Sequence, residues 1–159
     1  MGASHRSIGS EIKQRRPFAS KAQEATVALL RTADLVRRRL SKIVEPSGVT
    51  LQQYNVLRIL RGSQGQPLSA IEVGERLIEE VPGVSRLLDR LVGKGLVRRE
   101  RAVADRRMLE CAITAKGLDL LARLDAAVDR GDEQIGQRLT ARGIETLNDL
   151  LGRIRESEG

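Results

Sequence analysis

Residues 82–107 constrain this chain more than any other stretch. Leu87, Leu88, Leu91 and Val92 recur at i, i+1, i+4 and i+5 and give a short helix one apolar face, leaving Ser85, Arg86, Asp89 and Arg90 on the other. Pro82 suits a first helical turn, where its missing N–H leaves nothing unpaired. Gly95, after Lys94, fits a left-handed C-cap, with the Lys94 charge near the negative end of the helix dipole. Leu96 and Val97 then open a strand through residue 101, residues 102–107 form a turn, and residues 108–113 return. In the return, Leu109, Cys111 and Ile113 alternate with Met108, Glu110 and Ala112, a period of two. A small helix of this kind cannot bury its polar face, so that face is open to a partner.

Charge says what kind of partner. Residues 84–107 hold eight Lys or Arg (Arg86, Arg90, Lys94, Arg98, Arg99, Arg101, Arg106, Arg107) against three acids (Asp89, Glu100, Asp105), so they carry +5 of the net +7. From residue 118 onward six basic residues face nine acidic ones. Basic charge gathered on one helix and one hairpin, with an acidic balance elsewhere, is the footprint of nucleic-acid binding, although charge alone equally describes a solvated surface. Only two aromatics, Phe18 and Tyr54, are present, which argues against base-stacking platforms for single strands or RNA.

The flanking sequence is helical. Residues 1–16 read as a flexible basic tail and residues 17–159 as a single domain. From residue 20 to 45, Ala22, Ala25, Leu29, Ala33, Val36, Leu40 and Ile43 step by three and four until Pro46, Ser47 and Gly48. Such a helix is about 37 Å long at 1.5 Å per residue, long for a domain this small, which points to packing on another subunit. Thr50 caps a second helix carrying Tyr54, Val56, Leu57, Ile59 and Leu60. Ser69, with Glu72 three residues on, has the capping-box spacing for a third, whose apolar positions are Ile71, Val73, Leu77 and Ile78. The third helix and the 82–94 helix make a helix-turn-helix, and the hairpin makes a wing. Thr114 caps a helix with Leu118, Leu121, Leu124 and Val128, and Thr140 one with Leu147, Leu150, Leu151 and Ile154. The predicted fold class is mainly α (α+β): a winged helix-turn-helix lobe at residues 50–113 with a two-stranded wing, flanked by dimerisation helices at 20–45 and 114–156. Surplus apolar surface on terminal helices is most simply covered across a dimer two-fold.

These segments resemble the MarR family of transcriptional regulators over roughly residues 20–155. The carrying motifs are Leu51-Gln52-Gln53-Tyr54-Asn55-Val56-Leu57, Val84-Ser85-Arg86-Leu87-Leu88-Asp89-Arg90-Leu91, Lys94-Gly95-Leu96-Val97-Arg98-Arg99, Asp105-Arg106-Arg107 and Ile113-Thr114-Ala115-Lys116-Gly117. The resemblance implies a homodimer that represses transcription from a pseudo-palindromic double-stranded operator. It also implies a small aromatic or phenolic effector bound between the dimerisation helices and the DNA-binding lobe. Recognition-helix residues reach base edges in the major groove; here these are Pro82, Gly83, Ser85 and Arg86, with Arg90 on phosphate. Arg86 is either a bidentate guanine reader or a phosphate clamp. Arg106 or Arg107 would enter a narrow minor groove, and by the family pattern Asp105 pairs with Arg107 to brace the wing. Arg39 and Tyr54 are candidate pocket residues, with plain core the stronger reading of Tyr54.

Other classes find less support. One His (His5) and one Cys (Cys111) leave no catalytic or metal-binding constellation, so no enzyme, metal or cofactor is expected. A lone cysteine excludes an internal disulfide and suits a reducing cytoplasm, and Cys111 reads as a buried inert thiol rather than a redox sensor. No apolar run approaches the roughly 18 residues that span a membrane, and the N-terminus lacks a secretory hydrophobic region. The alternative is a dimeric winged-helix interaction or architectural module without specific operator recognition.

Overall fold

The computed structural model describes residues 6–101 and 109–156. The chain forms two compact units, residues 1–40 and residues 41–159.

The first unit holds helix α1 (Ile8–Glu11) and most of helix α2 (Lys21–Val44). α1 lies inside the stretch read from sequence as a tail. Ser7 caps it by accepting the Ser10 N–H, and the Glu11 carboxylate pairs with Arg31 on α2 at 3.1 Å. Ser20 Oγ accepts the Gln23 N–H at 3.0 Å while Gln23 Oε1 accepts the Ala19 N–H at 2.7 Å, which fixes where α2 begins. Only Val44, in the last turn of α2, is buried. Leu29, Leu30 and Leu35 are all exposed.

In the second unit a 3₁₀ turn (Glu45–Ser47) and Gly48 at φ +81° lead to helix α3 (Leu51–Gly62). Thr50 and Gln53 form a reciprocal capping box there. Tyr54, Val56, Leu57 and Leu60 on α3 meet Leu87, Leu88 and Leu91 of helix α5 (Val84–Gly93) and Leu120, Leu121, Leu124 and Val128 of helix α6 (Ala115–Gly136) in the core. Strand β1 (Leu68–Ser69) precedes helix α4 (Ala70–Glu75), and β2 (Val97–Arg101) and β3 (Leu109–Ile113) follow α5. The sheet is antiparallel in the order β1-β3-β2, with Leu68 opposite Cys111 and Arg99 opposite Cys111 from the other side. The wing therefore has the two expected strands plus a third on its edge. β1 is only two residues long, too short to show a period; it exists because the Ser69 cap holds extended backbone (φ −69°, ψ 162°) alongside β3. The lobe is a winged helix-turn-helix.

Several sequence expectations shift. α4 ends at Glu75, so residues 77 and 78 leave helical phase; Ile78 is 80% exposed and Ile71 70% exposed, and only Val73 is buried on α4. Pro82, expected in the first turn of α5, instead precedes the cap. The N-cap is Gly83 at φ +81°, a conformation only glycine adopts cheaply. The C-terminal expectation holds: Gly95 sits at φ +70°, its N–H donates to the Val92 carbonyl and the Leu96 N–H to the Leu91 carbonyl, the two bonds of a Schellman motif. In β3, Ala112 is buried beside Cys111 while Leu109 is half exposed, so strict alternation fails. On α6 the buried face runs through Leu120 rather than Leu118, which is exposed. Thr114 and Thr140 cap α6 and helix α7 (Ala141–Glu156) as their positions imply. No residue of α7 is buried, and Leu147, Leu150 and Ile154 are all exposed.

Candidate nucleic-acid interface

The exposed face of α5 is built from below. Leu87, Leu88 and Leu91 are buried, which turns Ser85, Arg86, Asp89 and Arg90 outward. Gly83 closes the N-terminal turn, its carbonyl accepting the Arg86 and Leu87 N–H groups. Arg86 and Arg90 make no ion pair or side-chain hydrogen bond among the described residues. Two exposed guanidiniums, one turn apart on one helix and without partners among the described residues, can present their donors to an anion.

Other cations of the basic segment are engaged within the fold. Lys94 Nζ donates to the Gly48 carbonyl at 2.6 Å and to Gln53 Oε1 at 2.9 Å, tying the end of α5 to the start of α3. Lys116 Nζ donates to the Lys94 carbonyl at 2.8 Å. Arg98 pairs with Glu100 on the same strand. Arg99 on β2 reaches the Asp89 carboxylate at 2.8 Å and the Ser85 carbonyl at 3.4 Å. Across the rung from Arg99 lies Cys111, whose pKa burial pushes up while this arginine pulls it the other way. Sequence reasoning counted Lys94 and Arg99 only as charge. One signal did point to Arg99: Asp89 is the sole acid on an otherwise basic helix face and requires a nearby cation.

Asp105, Arg106 and Arg107 lie outside the described residues. Of the two pocket candidates, Tyr54 is buried core; burial raises its hydroxyl pKa, and the Arg58 guanidinium carbon stands 5.9 Å from its ring centroid. Arg39 is half buried on α2 in the N-terminal unit. A groove of about 570 Å³ in that unit, with Ser7, Glu11, Lys21, Glu24 and Arg31 in its walls, includes neither. Among the described residues there is no group of His, Cys, Asp or Glu that could hold a metal ion, and no helix is long and apolar enough to cross a membrane.

Residues 47–108, which take in α3, the helix-turn-helix and the first wing strand, match the model of the MarR family. An HTH-type transcriptional repressor of Mycobacterium tuberculosis is 32% identical over 113 residues, covering 71% of this chain and 80% of the relative. The chain belongs to the MarR family of transcriptional regulators. A MarR transcription factor of Planctomyces limnophilus, known by crystal structure, is 34% identical, covers 89% of this chain and 98% of its own, and superposes with a TM-score of 0.64. The homoprotocatechuate degradative operon repressor of Escherichia coli is 27% identical over 126 residues, 79% of this chain and 84% of that one. Set on the MarR frame, α4 and α5 are the helix-turn-helix and β2 and β3 the wing, with Arg86 and Arg90 on the outward face of the second helix.

Proposed function

We infer that this MarR-family protein is a repressor that binds a pseudo-palindromic double-stranded operator as a homodimer. The observation that carries the reading is the outward pair Arg86 and Arg90 on a helix whose other face is locked by three buried leucines. Arg86, beside the N-terminal turn, reads base edges together with Pro82, Gly83 and Ser85; Arg90, one turn further in, contacts phosphate. Arg106 or Arg107 extends the footprint into the minor groove, Arg106 being the reader where Asp105 pairs with Arg107 as the brace.

The dimer is supported by apolar surface that the chain leaves uncovered on both terminal helices: Leu29, Leu30 and Leu35 on α2, and Leu147, Leu150 and Ile154 on α7. Two copies of α5 reading a pseudo-palindromic operator would meet half-sites about one helical turn, or 34–36 Å, apart. A small aromatic or phenolic molecule relieves repression by changing that separation; the relative named for a homoprotocatechuate operon supports this ligand class.

Selection from a pool of random duplexes by the purified protein tests the reading. Enrichment of a two-fold symmetric sequence with half-sites about 10 base pairs apart is the expected result. A pool left unchanged after repeated rounds would overturn it and leave a winged-helix interaction module.

A further inference from the structure

Asp89 is out of place on a DNA-facing helix. It stands between Arg86 and Arg90 on the exposed side of α5, where an unpaired carboxylate would oppose phosphate. It is not unpaired. Arg99 Nη2 lies 2.8 Å from Asp89 Oδ1 and 3.4 Å from the carbonyl oxygen of Ser85, one turn earlier on the same helix. Arg99 projects from β2 at the rung opposite Cys111. One planar cation thus joins two elements: the outer face of α5 and the first wing strand. A guanidinium holds its donors in a fixed fork, so anchoring it to a carboxylate and a carbonyl sets direction as well as distance.

We propose that Arg99 is a positioning residue for sequence readout, which fixes α5 against the wing strand through Asp89 and Ser85 so that Arg86 meets the base edges in one orientation. This rests on the reading of α5 as the recognition helix. Ser85 precedes Arg86 directly, so the Arg99 anchor on the Ser85 carbonyl restrains the backbone from which the reader projects. Asp89 serves as the anchor point of Arg99 and not as a base contact. The pair also keeps a cation from binding phosphate regardless of sequence, which would raise affinity for every duplex alike.

The test is an anisotropy titration of wild type, Arg99→Ala, Asp89→Ala and the double variant against the selected duplex and a scrambled one at several salt concentrations, with melting curves for each protein. The wild type prefers the selected duplex. Arg99→Ala lowers that preference about tenfold, a coupling of the size seen for contacting residues, with the salt slope as it was; the carboxylate left unpaired lowers scrambled-duplex affinity by a smaller factor, which the double variant restores. Asp89→Ala frees Arg99 for phosphate: preference falls, scrambled-duplex binding strengthens, and the salt slope steepens by about 0.9. The double variant is no less selective than Arg99→Ala. A merely structural arginine would lower binding to both duplexes in step with the melting temperature, and a phosphate-contacting one would make the salt slope shallower by about 0.9; either result overturns the proposal while leaving operator recognition intact. A wild type that does not discriminate between duplexes would overturn operator recognition itself and the proposal with it.

Discussion

Lys94 Nζ lies 2.9 Å from Oε1 of Gln53, the same oxygen that accepts the Thr50 N–H at 3.2 Å. With the Gly48 carbonyl as its second acceptor, the Lys94 cation holds the C-terminal end of α5 to the capped start of α3. Lys94 and Arg90 are both exposed and four residues apart, yet their charges have different tasks. Lys94→Met should cost about 1 kcal/mol and lower the melting temperature by roughly 3 °C, with the salt dependence of DNA binding unchanged. Arg90→Met should leave the melting temperature alone and make the salt slope shallower by about 0.9. Thermal melts beside salt titrations of both variants check this.

Gly117 sits where α6 comes against the end of α5 and the start of β2. A Cβ there would stand 2.4 Å from the Leu96 carbonyl oxygen and 2.7 Å from Ile113 Cγ1, and the first of these is backbone that cannot swing aside. Gly117→Ala should destabilise by about 1–3 kcal/mol in urea unfolding. Gly62→Ala, at the last residue of α3 with nothing within 4 Å, should be neutral or stabilise by up to about 1 kcal/mol.

The parts of this fold legible in the sequence are those in which one residue type forces one local geometry. Thr50, Ser69, Thr114 and Thr140 cap their helices as their positions imply, and Gly95 takes the left-handed C-cap. Periodicity located α5 because its face is short and its leucines are dense. It failed on α4, where Ile71 and Ile78 suggest a longer apolar face but the helix stops after six residues. It also missed β1, whose two residues pair with β3 only because chain 41 to 43 positions away returns beside them. At the site, outward placement of Ser85, Arg86 and Arg90 follows from the helical repeat. The roles of Lys94 and Arg99 depend on partners 41 and 10 residues distant, on other elements, which no local pattern encodes.

The Ser69–Glu72 capping box carries a pH signature. The Glu72 carboxylate accepts the Ser69 N–H and hydroxyl at 2.8 and 2.9 Å, and these bonds hold its pKa below the ordinary glutamate value of about 4.3. A folded-state pKa below the unfolded one contributes stability that is fully present above the unfolded value and is lost as pH falls through the folded value. Glu72→Gln should therefore lower stability at neutral pH, and its difference from wild type should close as pH falls below about 4.3. Urea unfolding of both proteins at stepped pH values measures this.

Cys111 is 2% exposed, and burial raises its pKa, so little thiolate forms near neutral pH and a reagent cannot reach it. At pH 8 the native protein should react with a disulfide reagent on the order of a hundredfold or more slower than the urea-unfolded chain, because attack waits for local opening. Equal rates in the two states would show that the thiol is accessible and would revive a redox role. Stability linked to this thiol is complete below its unfolded pKa of about 8.5 and declines as pH rises through the higher folded value.

The most direct measurement is a titration of wild type and Arg86→Ala against the operator recovered by selection, beside a scrambled duplex at the same salt. Wild type should bind the operator with a clear preference. Arg86→Ala should lose about 1–3 kcal/mol of that discrimination, roughly 5- to 150-fold, while its scrambled-duplex affinity changes far less. Parallel losses on both duplexes would make Arg86 a phosphate clamp, and a wild type that binds both equally would contradict sequence-specific regulation by this helix.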